Sequence, residues 1–452
     1  MGRRVLSGLS AALVAVALVA SACSSGDSSG GGGDKTIRVA YQLFGTSDGV
    51  DRLMKRIKSD FEEETGYTLK LVPIQAAEND YYTKLGLMQR SPETAPDVLY
   101  EDTFLINSDV QAGYLRPLDD YLAEWDDWDR FYDAAKAAAQ ARDGKIYGIP
   151  MGTDTRGLWY NKEVFRKAGL PEQWEPKTWD DVLSAARTIK EKVPGVIPLN
   201  VYSGKPAGEG ATMQGFEMLL YGTDDTLYDA DEDKWITSSP GFLDSLEFIK
   251  TIFSEGLAPS PQQALDPNWP NVVTTELLPQ NKLGINLDGS WLPGAWIEGG
   301  ANPWPEWDEV MGAAAMPTQN GQPPGATSMS GGWTLSVGSK SAHPDVAFKL
   351  IAIALNKENS LYFNKIGSQI AVRQDVAATD EYKSSNPTTG FFTDLVQYTH
   401  FRPAFPEYPQ ISNQIQVAME AVMTGQASPE EAMQRYAEAV EGIVGSDRTA
   451  TR

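Results

Sequence analysis

The chain has 452 residues, more than one compact core usually holds, and 41% apolar with 10% aromatic content is enough to bury two cores. A formal net charge of −23 argues against nucleic acid or an anionic lipid surface as partner, because both repel such a chain, and it favours solubility. With two histidines and one cysteine a catalytic zinc site is a poor expectation, and no metal or cofactor is expected.

Arg3 and Arg4 precede an apolar stretch from Leu9 to Ala20, followed by the small residues Ser21 and Ala22 before Cys23. That is the order of a secretory signal, and the stretch is too short to span a bilayer stably. Ala20-Ser21-Ala22-Cys23 resembles the lipobox of bacterial lipoproteins, with Ala20 where Leu is usual. Cys23 is the sole cysteine and has no disulfide partner within the chain. The expectation is a signal peptide over 1–22, lipidation of Cys23, and a flexible Ser/Gly tether over 23–35. Loss of Arg3 and Arg4 makes the remainder two units more negative. The arginine pair leaves both the general and the twin-arginine export routes open.

Thr36 to Gln42 alternates like a strand, and Val50, Leu53, Met54, Ile57 and Phe61 then recur at helical spacing. A second strand is expected over Tyr67 to Val72, a helix over Asp80 to Arg90, and a short strand over Pro96 to Tyr100. This gives a βαβαβ start with a parallel sheet, whose ligands bind beyond the carboxyl ends of the strands. Those ends are Gln42 to Gly45 and Glu101-Asp102. The pattern restarts after Pro150. Leu158-Trp159-Tyr160 is strand-like, and Thr178 with Asp181 suits the start of a helix carrying Trp179, Val182, Leu183, Ala186 and Ile189. Further helices are expected over Gly241 to Ser254, Gln410 to Met423 and Pro429 to Ile443, and there is no internal repeat.

Short landmarks punctuate this pattern: Ala95-Pro96-Asp97-Val98, Gly113 to Leu118, Gly144 to Pro150, Leu158 to Lys162, Ala168-Gly169-Leu170, Thr178-Trp179, Asp288-Gly289-Ser290-Trp291, Met316-Pro317, Gly331-Gly332-Trp333 and Phe401-Arg402-Pro403. In order and spacing they resemble the family 1, maltose-type extracellular solute-binding proteins of bacterial ABC sugar importers. The resemblance covers nearly the whole mature chain. It implies an α/β fold of two lobes, each a mainly parallel sheet flanked by helices, joined by three crossings that hinge shut on a ligand. The crossings are expected near Met151 to Asp154, Ala313 to Pro317 and Asn356 to Leu361. Lobe one is then 36–153 plus 314–357, and lobe two 154–313 plus 358–452. The implied protein is a monomer without catalytic activity, anchored through Cys23 outside the cell membrane, that hands a di- or oligosaccharide to the importer's permease.

A sugar presents hydroxyls at its rim and C–H groups on its faces, so its site needs carboxylates, amides and Arg at the edge and flat aromatics above and below. Among the tryptophans expected in loops, Trp291 and Trp333 end Gly-containing landmarks, Gly332 lets the backbone come close, and Trp269 is a further candidate. Of Glu101 and Asp102 one should face the cleft, the other reading being a helix cap or a solvated turn. Asp154 and Arg156 follow the first crossing as ligand contacts or a hinge salt bridge. Arg402 suits vicinal hydroxyls or an inter-lobe pair. Gln42, Tyr81, Tyr202 and Glu209 complete the candidates.

Rival readings keep the same residues. A polyol, polyamine or peptide on the same fold is one. Gly45-Thr46-Ser47-Asp48-Gly49 matches the G-x-S-x-G elbow of a hydrolase, with His343 or His400 as its only possible base, but it sits on the first strand, too early for that fold. A glycosidase needs only a carboxylate pair, and no segment resembles such a family.

Overall fold

The computed structural model describes residues 35–46 and 48–452. The expected signal, the expected lipidation site Cys23 and nearly all of the tether expected over 23–35 lie outside them. Among the described residues no helix is long and apolar enough to cross a membrane.

Strand β1 (Thr36–Gln42) leads into helix α1 (Gly49–Thr65), whose Val50, Leu53, Met54, Ile57 and Phe61 are all buried, as their spacing predicts. Gly66 ends the helix at φ +70°, a left-handed cap that costs glycine nothing. Then follow β2 (Thr68–Ile74), α2 (Glu78–Met88), β3 (Val98–Asp102) and β4 (Ile149–Thr153). After Asp154 and Thr155 the chain enters β5 (Arg156–Asn161). Helix α3 (Trp179–Lys192) starts on the expected box: Thr178 accepts from the Asp181 amide and the Asp181 carboxylate accepts from the Thr178 amide at 3.0 Å. Next come β6 (Ile197–Asn200), α4 (Pro240–Ser254), β7 (Leu283–Gly289), β8 (Met311–Ala314), β9 (Gly332–Val337), α5 (Pro344–Ala354), α6 (Lys357–Ile366), α7 (Tyr408–Met423) and α8 (Pro429–Val444).

Two sheets organise these elements, in the orders β2-β1-β3-β9-β4 and β8-β5-β7-β6. Both are mixed rather than mainly parallel. β1 runs parallel to β2 and β3, but β9 is antiparallel to β3 and β4; β6 runs parallel to β7, but β5 is antiparallel to β7 and β8. The reversals arise because the chain leaves one lobe on β4 and re-enters it on β9, so the returning strand fills the gap beside its outgoing neighbour. Val39, Leu53, Ile149, Leu335 and Ile351 centre the first core, and Leu158, Ile189, Phe216, Ile249 and Ile415 the second.

The crossings differ from expectation in two places. Asp154-Thr155 forms the first. Met316–Pro317 pairs instead with Ala326–Thr327, and Met316 and Met329 are buried in the second core, so the chain returns only at Ser330-Gly331. Nor does the chain leave at Asn356 to Leu361. Phe363 of α6 is buried in the first core, Ile370 exchanges backbone hydrogen bonds with Thr153, and Arg373 meets Asp127 at 2.8 Å. The return to the second lobe follows Lys383, since Phe392 then packs on Trp159 with ring centroids 5.1 Å apart.

Candidate ligand-binding site

The carboxyl ends of β1, β3 and β7, the start of β5 and the loop after β6 face one another across the two sheets. They enclose a cavity of about 310 Å³, the size expected of a small-molecule site. Gln42, Asp102, Asp154, Arg156, Tyr202, Glu209, Trp291, Gly332, Trp333 and Arg402 all line it.

Three candidates do not. In β3 the side chains alternate, so Tyr100 and Asp102 face the cavity and Glu101 points the other way, wholly buried beside Asp109. Tyr81 is buried behind the site, where its hydroxyl donates to the Tyr100 carbonyl at 2.5 Å. Trp269 is core: its indole N–H donates to Asn200 Oδ1 at 2.9 Å and its ring packs with Tyr202 and Val273.

The aromatic surfaces are prepared by stacking. Trp333 lies on Tyr100 with centroids 4.3 Å apart and planes 10° from parallel, and Trp291 lies under the Arg156 guanidinium at 4.8 Å. The glycines beside Trp333 make room for protein rather than for ligand. At Gly332, φ is +154° and an added Cβ would come within 2.9 Å of the Gly152 carbonyl; at Gly331 it would meet Arg402 Nη2 at 3.2 Å.

The polar rim is a linked set of charges. Asp154 pairs with Arg156 and accepts from the Gly331 amide at 2.9 Å, while Arg156 Nη1 donates to the Met329 carbonyl at 3.1 Å. Both readings of this pair therefore meet in one place: it braces the first two crossings and lines the cavity. Arg402 Nη2 lies 2.6 Å from Asp102 Oδ1 on the first lobe, and its Nη1 lies 3.2 Å from Glu209 Oε2 on the second. Burial opposes the Arg402 charge, but Asp102 and Glu209 hold its pKa well above the usual guanidinium range. Glu209 in turn accepts from Ser412 and, at 3.2 Å, from the Tyr408 hydroxyl. Burial raises its pKa, opposed by Arg402 and Ser412. The segment after it, Gly210–Glu217, is a π-helix. There Gly215 is required, since a Cβ would sit 2.3 Å from the Tyr202 carbonyl. Behind it, burial and then Glu209 push Glu217 up to about 8.

The residues missed by sequence reasoning are Glu78, Tyr100, Gln214, Asn271, Asp288 and Gln369, all of which line the cavity. Glu78 opens the helix after β2, where the strand-end rule applied to β2 would have found it. Asp288 heads the Trp291 landmark, three residues before the tryptophan; it accepts from the Tyr202 hydroxyl at 2.9 Å and from the Asn286 amide at 3.1 Å.

No histidine lines the cavity: His343 packs against Tyr67 with ring centroids 5.0 Å apart, and His400 stacks on Tyr221 at 4.6 Å. The elbow serine, Ser47, lies outside the described residues, and neither histidine stands in the cleft to serve it as a base.

A family model described as bacterial extracellular solute-binding protein matches residues 46–360. The chain is 24% identical to the galactooligosaccharide-binding protein of Bacillus subtilis over 358 residues, which cover 78% of this chain and 77% of the relative. Among solved structures, an ABC transporter solute-binding protein from Thermotoga lettingae bound with alpha-D-tagatose superposes with a TM-score of 0.79 at 26% identity, covering 91% of this chain and 100% of that one. Maltose-bound T. maritima MalE3 superposes with a TM-score of 0.75 at 19% identity, covering 90% and 100%, and shares the two-lobe fold.

Proposed function

The chain belongs to the bacterial extracellular solute-binding protein family, and from that premise we propose that it captures a di- or oligosaccharide between its lobes and delivers it unchanged to the permease of an ABC importer. The observation that carries this reading is the pairing, within one cavity, of the flat rings of Trp291, Trp333 and Tyr100 with Asp102, Asp154, Arg156, Glu209 and Arg402. Rings suit sugar C–H faces, and charged groups suit hydroxyls as both donors and acceptors. The printed ligands of the relatives, galactooligosaccharide, tagatose and maltose, point the same way.

Acyclic polyols lack the ring faces that two cavity tryptophans serve, and a peptide presents them only where a side chain carries a ring. Polyamines have no use for Arg156 and Arg402. A thermal-shift screen against mono- and oligosaccharides tests the reading, because a ligand bound only by the folded chain raises its melting temperature. A panel of sugars that shifts nothing, alongside a polyamine or peptide that does, would overturn it.

Attachment to the membrane through Cys23 belongs to the same proposal. It rests on the lipobox-like sequence and on the family's extracellular station. Cys23→Ser should release folded protein into the medium, and an unmodified N-terminal mass on wild-type protein taken from membranes would refute the anchor.

A further inference from the structure

Tyr82 stands between two carboxyl groups of the first lobe, its hydroxyl 2.8 Å from Glu78 Oε1 and 2.9 Å from Asp102 Oδ2. A phenol has one hydrogen to give, so it satisfies one of these oxygens only. The other must bring a hydrogen of its own or face a lone pair at hydrogen-bond distance. No lysine or arginine among the described residues pairs with Glu78. The nearest guanidinium, Arg402, is shared between Asp102 at 2.6 Å and Glu209 at 3.2 Å. One cation thus faces three carboxyl groups, and two of them, Glu78 and Asp102, meet Glu209 only because the second lobe is closed over the first.

We propose that the cleft binds a proton together with its sugar, and that Glu78 holds it. With the lobes apart, water reaches Glu78 and the carboxylate is stable. Closure leaves Glu78 half-buried at the cavity wall and brings the Glu209 carboxylate across. Glu78 then takes a proton from solvent, donates it in a hydrogen bond to the Tyr82 oxygen, and leaves the Tyr82 hydrogen to Asp102, which keeps its pairing with Arg402. One proton enters, no bond to the sugar changes, and every short contact in the chain Glu78, Tyr82, Asp102, Arg402 acquires a donor and an acceptor. Burial, then Asp102 and Glu209, push Glu78 up to about 7, against the lowering by Tyr82 and Arg402.

The sign follows from linkage. A carboxyl group whose pKa is about 7 when closed and roughly 4.3 when open favours the closed form below that window and loses the advantage as pH rises through it. Sugar affinity should fall by up to about tenfold per pH unit between roughly 5 and 7 and level off above about 8.

The proposal rests on the sugar-binding reading. Its test is calorimetry with the tightest sugar of the panel, repeated in buffers of different ionisation enthalpy. Wild type should take up nearly one proton per sugar at about pH 6, about half at pH 7 and almost none at about pH 9. Glu78→Gln, whose amide still donates to Tyr82, should take up none and bind with an affinity flat across the window. Zero uptake by wild type at pH 6, or undiminished uptake by Glu78→Gln, overturns the proposal. Should no sugar bind at any pH, the sugar reading falls by itself. The proton is then read by the same calorimetry with the polyamine or peptide that raises the melting temperature: uptake near pH 6 by wild type and not by Glu78→Gln sustains the assignment, and zero or equal uptake overturns it.

Discussion

Arg402 and Asp102 meet across the lobes with Nη2 2.6 Å from Oδ1, both side chains buried, although 300 residues separate them in the chain. A buried pair is costly to break from one side, because the remaining charge stays desolvated. Asp102→Asn and Arg402→Ala should each weaken sugar binding by about tenfold or more. The double variant should lose less than the product of the two, since both remove the same contact. Calorimetric affinities for the four proteins decide it; strictly multiplicative losses would mean that the pair does not act as a unit in closure.

Trp333 is held against Tyr100, packs also with Tyr82 at 5.8 Å and Tyr81 at 6.0 Å between ring centroids, and lines the cavity with its remaining surface. Loss of such an anchor typically costs 2 kcal/mol or more of binding, so Trp333→Ala should weaken affinity about thirtyfold or worse. Stability without sugar should drop by about 1–3 kcal/mol, the scale of the lost contacts with Tyr100, Tyr82 and Tyr81 and a partly buried ring. An apo melting temperature that collapses would place the indole in the core instead.

Much of this architecture was legible in the sequence because periodicity reports burial. The stripe of α1, the box at Thr178 and Asp181, and the strand ends at Gln42 and Asp102 all carry local signals. Alternation along β3 also required that Glu101 and Asp102 face opposite ways, but which faced the cleft depended on the order of strands, which no local pattern states. Trp269 and Tyr81 show the same limit: an aromatic in a loop or helix start looks the same whether it meets ligand or core. The crossings were misplaced where a short element packs on the lobe it seemed to leave, as Phe363 does in α6 and Met316 beside β8. The position of Glu78 after β2 is a local signal, but its grouping with Asp102, Glu209 and Arg402, from distant parts of the chain, is not.

Glu101 makes a prediction about stability that leaves the cleft alone. Its carboxyl is fully buried with neither oxygen meeting a donor, and burial, then Asp109 and Asp102, hold its pKa well above the usual carboxylate range. The unfolded chain ionises this group near pH 4.3 while the folded chain keeps it neutral, so its contribution to stability is complete below that value and is lost as pH rises, by up to about 1.4 kcal/mol per unit. Glu101→Gln keeps the shape, offers an N–H to Asp109 and cannot ionise. It should therefore be more stable than wild type at about pH 8 and little different at about pH 4. Denaturant unfolding at the two values checks this, and sugar affinity serves as the control, which should stay within about twofold because Glu101 faces away from the cavity.

Closure is also held by hydrogen bonds between the lobes, some from the cavity wall, where Thr46, Arg52 and Asn271 stand, and one beyond it. The Thr46 amide donates to Asn271 Oδ1 at 3.2 Å, Arg52 Nη1 to the Gly299 carbonyl at 2.7 Å, and Asn107 Nδ2 to the Ala404 carbonyl at 3.0 Å, each joining one lobe to the other. Such hydrogen bonds form only in the closed arrangement, so they set how much of the sugar's binding energy is left after the lobes are drawn together. Sugar at saturation should therefore lower the radius of gyration in solution scattering. Arg52→Ala, which loses a charge-assisted bond at the rim and also the bond to the Ile366 carbonyl at 3.2 Å, should need roughly three- to tenfold more sugar to reach the same radius. Its fully closed radius should equal that of wild type, because Arg402 still joins Asp102 of one lobe to Glu209 of the other. A radius that does not change with sugar in wild type would mean the lobes do not hinge. An Arg52→Ala protein that closes at the wild-type sugar concentration would mean that the rim contacts follow closure without contributing to it.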